Sequence, residues 1–168
     1  MATETTDPHL KAARDMAKKI HRELKTTSFP VVLREVVGLL KAKDSNLRVS
    51  QYSGFQDGIE GVTVVKGDNT LIGFRTDTSQ HRARFTLAHE LGHYMFGHAS
   101  RSPFNNYEEP GNEEAEANSF AGELLIPCNE LTQDLRSGLK PKDLTGKYDV
   151  SEEAIWWHIK LNNLIKYL

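Results

Sequence analysis

Residues Arg84 to His98 read RFTLAHELGHYMFGH, and three of them have the types and spacing of a metal-dependent hydrolytic centre. His89 and His93 stand four apart with Glu90 between them. On a helix, positions i and i+4 lie one turn apart on the same face. Both imidazoles therefore address one ion, at Zn–N distances of ~2.0–2.1 Å. Glu90 lies ~100° around the helix from His89. It is too far round to ligate the same ion, but it is placed to accept a proton from a water that the ion polarises. Gly92 leaves room for a close approach to this helix, and Ala88, Leu91 and Met95 supply an apolar flank that pins it. His98 does not extend the motif in the long zincin spacing, because Phe96 and Ala99 stand where that pattern needs a glycine and a third histidine. Beyond Gly97 it is a candidate contact to the transition state, as are the hydroxyls of Tyr94, Tyr107 and Tyr148.

Two imidazoles need a third protein ligand. The segment Asn112–Pro127, NEEAEANSFAGELLIP, offers one. Ala117, Phe120, Ala121, Leu124 and Leu125 define its buried face at helical spacing. Glu114 borders that face and is the favoured ligand. Glu113 also borders it, but as the first helical residue it is less firmly held. Glu116 lies round the other side with Ser119 and Glu123, and is expected to face solvent, as acidic residues near a helix N-terminus commonly do. Asn118, one turn after Glu114, is expected to hydrogen-bond a ligand from behind and orient it. Alanines at 115, 117 and 121 let this helix pack close to the histidine helix. Two histidines and one carboxylate leave a coordination position open, which is a catalytic rather than a structural arrangement of one zinc ion. Manganese or iron also suit such a nitrogen and oxygen donor set.

The elements that must position these groups are legible around them. Asp7-Pro8 reads as an N-cap and N1 proline, and Leu10, Ala13, Ala17, Ile20 and Leu24 carry a helix to about Lys25. Leu33, Val36, Val37 and Leu40 mark a second helix. Leu47–Tyr52, GVTVV and TLIGF read as two or three antiparallel strands, with KGDN as a hairpin turn. The strand NTLIGF is expected to offer an edge on which an extended peptide adds. Arg82–Phe96 is helical, with Gly97 as its stop. Asn112 caps the glutamate helix, which Pro127 ends. A short helical piece surrounds NELTQDLRSG. A last helix starts at Ser151 and carries a stripe of Ala154, Trp157, Leu161 and Leu164.

Twenty-one basic against 23 acidic residues give a net charge of −2. That balance argues against direct nucleic-acid or anionic-membrane binding through a bulk basic field. The tail from Leu139 has the outline of a helix-turn-helix, yet the apolar stripe on its last helix reads as packing rather than base recognition. No run is apolar enough for a membrane span, and the opening MATETTDPHL lacks the apolar core of a signal peptide. Cys128 is the only cysteine, so no internal disulfide forms; it reads as a small, partly buried hydrophobe, poorly placed to serve as the cysteine ligand of a deformylase-type site. A cytoplasmic location is expected.

FTLAHELGHYMFGH followed about twenty residues later by EEAEANSFAGELLIP resembles the ImmA/IrrE family of zinc metallopeptidases. The upstream AARDMAKKIHRELKTTSFPVVLREVVGLL and the strands before the histidine helix are similar to that family's opening, so the resemblance covers roughly residues 8 to 127. It implies a compact α+β, zincin-like domain over residues 1–127, with a C-terminal helical segment, 128–168, packed on it. It implies zinc held by His89, His93 and Glu114, with Glu90 as general base. It also implies a protein substrate, a helix-turn-helix transcriptional repressor, and a setting in phages, mobile elements or stress responses. The competing expectation is a metal-dependent sensor or binding module that engages such a repressor without cutting it.

Overall fold

The first helix begins where Asp7 accepts a hydrogen bond from the His9 N–H at 2.8 Å, with Pro8 behind it. In the computed structural model, which describes residues 7–54, 56–98 and 112–168, α1 spans Pro8–Leu24 and α2 Leu33–Lys43. Strands β1 (Leu47–Tyr52), β2 (Gly61–Lys66) and β3 (Asn69–Arg75) follow, then α3 (Gln80–Met95), α4 (Asn112–Leu125), α5 (Cys128–Arg136), α6 (Pro141–Tyr148) and α7 (Glu152–Leu161). The architecture is α+β. No described helix is long and apolar enough to cross a membrane.

The sheet departs from the all-antiparallel expectation. β2 and β3 form the hairpin read at Lys66–Asn69, but β1 joins the far side of β3 and runs parallel to it, Leu47 opposite Thr70 and Tyr52 opposite Arg75. The order is β1-β3-β2. Residue alternation identifies strands without fixing their neighbours or direction, and the loop between β1 and β2 is long enough to carry the chain across. One consequence corrects the edge assigned above: β3, which contains NTLIGF, is the central strand and has both sides paired. The edge beside the histidine helix belongs to β2.

One face of the sheet packs on α3. Ile72 and Phe74 of β3 and Thr63 of β2 are buried there. On the opposite side α3 packs against α4, which in turn packs against α1. Both α3 and α4 are thus covered on more than one side, and each buries polar as well as apolar residues. This overturns the solvent-facing assignment of Glu116, Ser119 and Glu123, all of which are buried. A single apolar stripe predicts one covered face; α4 is gripped from two directions, and α7 closes it further at Gly122, where an added Cβ would lie 2.8 Å from His158 Nδ1.

The buried residues of α7 are Ile155, His158 and Ile159; of the expected stripe Leu164, just past the helix, is buried, Ala154 and Leu161 are half-buried and Trp157 is exposed, so the stripe holds only in part. Ser151 caps the helix as expected, accepting from Ala154 N–H at 3.1 Å. Bonds cross the 127/128 junction: Glu123 accepts from the Cys128 N–H, and Arg84 of α3 donates to the carbonyl of Asp149 after α6. Cys128 is partly buried against the core, and burial raises its thiol pKa.

The helix pair α3–α4 meets most closely at Gly92, where a Cβ would lie 2.9 Å from Ala117 Cα and 3.1 Å from its carbonyl oxygen. Backbone cannot swing aside. Gly92→Ala is therefore expected to destabilise the fold by about 1–3 kcal/mol, despite a helix-propensity gain approaching ~1 kcal/mol, as read by chemical denaturation.

Candidate metal centre

Helix α3 places His89 and His93 one turn apart with their rings nearly perpendicular, centroids 4.7 Å apart. Their Nε2 atoms lie 3.0 Å from each other. The first turn of α4 brings in Glu114: one carboxylate oxygen is 3.1 Å from His89 Nε2 and the other 3.0 Å from His93 Nε2. Donors ~2.0–2.1 Å from a tetrahedral zinc stand ~3.3 Å from one another, so a group at these separations could hold one metal ion. Among the described residues this is the one group of three or more His, Cys, Asp or Glu side chains with that convergence. The donor chemistry agrees. Hydrogen bonds from His89 and then His93 hold the Glu114 carboxyl well below the usual carboxylate range. Burial pulls His89 down, but Glu114, Glu90 and Asn118 together leave it raised. An anionic pocket of this kind suits a cation.

The flanking residues fall into place around this centre. Glu90 is buried, follows His89 in α3 and is near enough for its charge to help raise the His89 pKa. One of its carboxylate oxygens accepts from the Thr63 hydroxyl at 2.6 Å. Two residues earlier on the same face of β2, Gly61 makes room for it: a Cβ there would lie 2.9 Å from Glu90 Cγ and Oε1. His89 Nδ1 is 2.8 Å from Asn118 Oδ1, as expected for a ligand oriented from behind. Thr63 and Gly61 were not singled out in the sequence. The alternation that puts both on one face of β2 was visible, but the pairing that turns that face towards α3 was not.

His98 is buried and engaged at both ring nitrogens, Nδ1 with His93 Nδ1 at 2.8 Å and Nε2 with Glu116 at 3.0 Å. It meets His93 at the ring nitrogen opposite the one beside Glu114. The two tyrosines are likewise committed elsewhere. Tyr94 donates to Asp44 at 2.8 Å, and burial followed by that carboxylate pushes its pKa up to about 12. Tyr148 is fully buried and donates to Asp134 at 2.6 Å; burial and Asp134 raise its pKa further still. Neither hydroxyl is available to a substrate. Tyr107 lies outside the described residues.

The profile of the peptidase family described as the IrrE N-terminal-like domain matches residues 43–156. The chain belongs to that family. As an IrrE N-terminal-like domain it is a metallopeptidase-like module, and the match takes in both ligand-bearing helices together with α5, α6 and part of α7. No curated protein matches the sequence significantly. Among solved structures, a Mycobacterium tuberculosis transcriptional regulator is similar in fold, with a TM-score of 0.60 at 14% identity. The superposition covers 92% of this IrrE-like chain and 47% of that protein, so this chain spans about half its length.

Each of the three donors is expected to be required for stoichiometric metal. Glu114→Ala, purified beside the wild type and assayed by elemental analysis, should fall from about one bound ion to near none, while Glu113→Ala stays near one.

Proposed function

We propose that this domain is a zinc-dependent endopeptidase that hydrolyses a peptide bond in a protein substrate, a helix-turn-helix transcriptional repressor being the class that fits best. The observation that carries the reading is the convergence of His89, His93 and Glu114 at ligand spacing, with the buried Glu90 close enough for its charge to act on His89. The ion that those three side chains would hold supplies Lewis-acid polarisation of the scissile carbonyl and of the attacking water. The remaining steps fall to the chain itself. Glu90 takes the water's proton on its carboxylate and returns it to the leaving amine nitrogen, so that the base is regenerated. Thr63 fixes the carboxylate in one orientation, sparing it a reorganisation at each turnover.

Substrate placement is the work of β2. It is an edge strand of the sheet and carries both residues that touch Glu90. Arg75 N–H bonds the carbonyl of Glu60. By antiparallel alternation the backbone groups of Val62 and Val64 then pair with β3, while those of Gly61 and Thr63 point to the other side. An extended segment that adds alongside β2 gains main-chain hydrogen bonds there and lies next to the base. Such a segment must come from a loop or linker of the substrate rather than from a folded helix. The repressor class is supported by the family resemblance and by the transcriptional role in the name of the fold neighbour. A DNA-bound repressor as substrate would have the enzyme act in the cytoplasm.

Glu90→Gln tests the assignment. The variant should keep its metal by elemental analysis yet lose roughly 10²–10⁴-fold in cleavage rate. The readout is mass spectrometry of a candidate helix-turn-helix repressor incubated with the metal-loaded protein. Cleavage at the wild-type rate would remove Glu90 from the mechanism, and a stable complex with an uncut partner would make the domain a binding module.

A further inference from the structure

We infer that His98 and Glu116 are positioning residues: together they fix which nitrogen of His93 faces the metal, and thereby set the affinity of the site. The inference rests on the metallopeptidase reading above and extends it to two side chains that touch no substrate.

The helix stop builds the first link. Gly97 adopts φ 62°, a left-handed conformation that glycine accepts readily. Gly97 N–H then bonds Tyr94 O at 3.1 Å, and His98 N–H bonds His93 O at 3.0 Å. These are the two hydrogen bonds of a Schellman ending, which folds the second residue beyond the helix back over the third from its end. In most such endings that contact is apolar. Here both residues are histidines, and their Nδ1 atoms meet at 2.8 Å. Phe96 stacks on the His98 ring at 5.7 Å between centroids and an interplanar angle of 23°, fixing its plane.

The second link decides the protons. A carboxylate only accepts, so the His98 Nε2, 3.0 Å from Glu116, carries a hydrogen. A neutral His98 is then an acceptor at Nδ1, and the hydrogen shared across the 2.8 Å contact belongs to His93 Nδ1. That leaves the lone pair of His93 on Nε2, the atom beside Glu114 and His89. The opposite tautomer of His93 would set two lone pairs against each other in a buried site. Glu116 is itself held at its other oxygen, 3.3 Å from His9 Nδ1 in the first turn of α1. His89 is oriented by a neutral amide, whereas His93 is oriented by a chain that ends in a carboxylate.

The test is the Zn²⁺ dissociation constant, read by competition with a chromogenic chelator on the full chain, with thermal unfolding of the metal-free protein alongside. His98→Leu should weaken zinc roughly 10–100-fold. Glu116→Ala should weaken it by roughly 10-fold, the low end of that range. His98→Gln should recover most of the loss, because its amide accepts from His93 Nδ1–H and donates to Glu116. Ser119→Ala, which removes a buried α4 hydroxyl bonded to Leu10 O, should leave zinc affinity unchanged. If His98→Leu does not fold, Glu116→Ala carries the test, its site being partly open to solvent through His9. Wild-type affinity in folded His98→Leu and Glu116→Ala proteins overturns the relay. Equal weakening by leucine and glutamine overturns it too. If His89→Ala abolishes binding in the same assay, the metal centre stands without the relay; a wild type that takes up no stoichiometric zinc sinks both.

Discussion

The centre depends on how near two helices can come. His89 and His93 sit on α3, and Glu114 on α4, so nothing converges unless the two backbones almost touch. Helix axes ordinarily stand 8–10 Å apart, with the spacing set by the side chains between them. At Gly92 and Ala117 there is almost nothing between them: the glycine meets the backbone of the alanine directly. Gly92 lies one residue before His93, and Ala117 three residues after Glu114, so the tightest contact falls level with the ligands. Close packing there also brings α4 near enough for Asn118 to reach His89 and for Glu116 to reach His98. The small residue between the histidines and the alanines of α4 are thus part of the site's construction, although none carries a reactive group.

How the same helix treats its other carboxylates shows what burial does when partners differ. Glu114 is held ionised by two imidazoles. Glu123, nine residues on, is more deeply buried, and burial pushes its pKa up to about 7 even though Lys18 and the Cys128 N–H favour the charge. Facing it, His158 is driven down to about 4, by burial first and Arg14 second. One end of α4 gathers negative charge for a cation, and the other end suppresses charge where α4 and α7 pack against each other. Residue type alone does not distinguish them; neighbours do.

That difference also marks where the sequence stopped being readable. The N-caps at Asp7 and Ser151, the stops at Gly97 and Pro127, and the choice of Glu114 over Glu113 came from local rules, because each depends on atoms within a turn or two. The parallel pairing of β1 depends on a crossover whose direction no alternation encodes. Glu116 was assigned to solvent because an apolar stripe marks one buried face, and α4 has more than one. His98 is the instructive case. Gly97 was recognised as a stop, and a Schellman ending fixes what lies over the third residue from the helix end. The contact with His93 was therefore implicit in the spacing, but it was missed because that position is usually apolar. Thr63 was beyond reach, since only the tertiary pairing of β2 turns its hydroxyl towards Glu90.

The Thr63–Glu90 hydrogen bond has a mechanical side. The carboxylate is tethered not to its own helix but to β2, an edge strand of the sheet that is paired on one side only. A chain laid along that margin adds rungs to the ladder and stiffens it. In the proposed peptidase such a guest would steady the Glu90 carboxylate through Thr63, and a poorly matched one would leave strand and carboxylate loose. Selectivity in such a design resides in the backbone's rigidity as much as in any pocket.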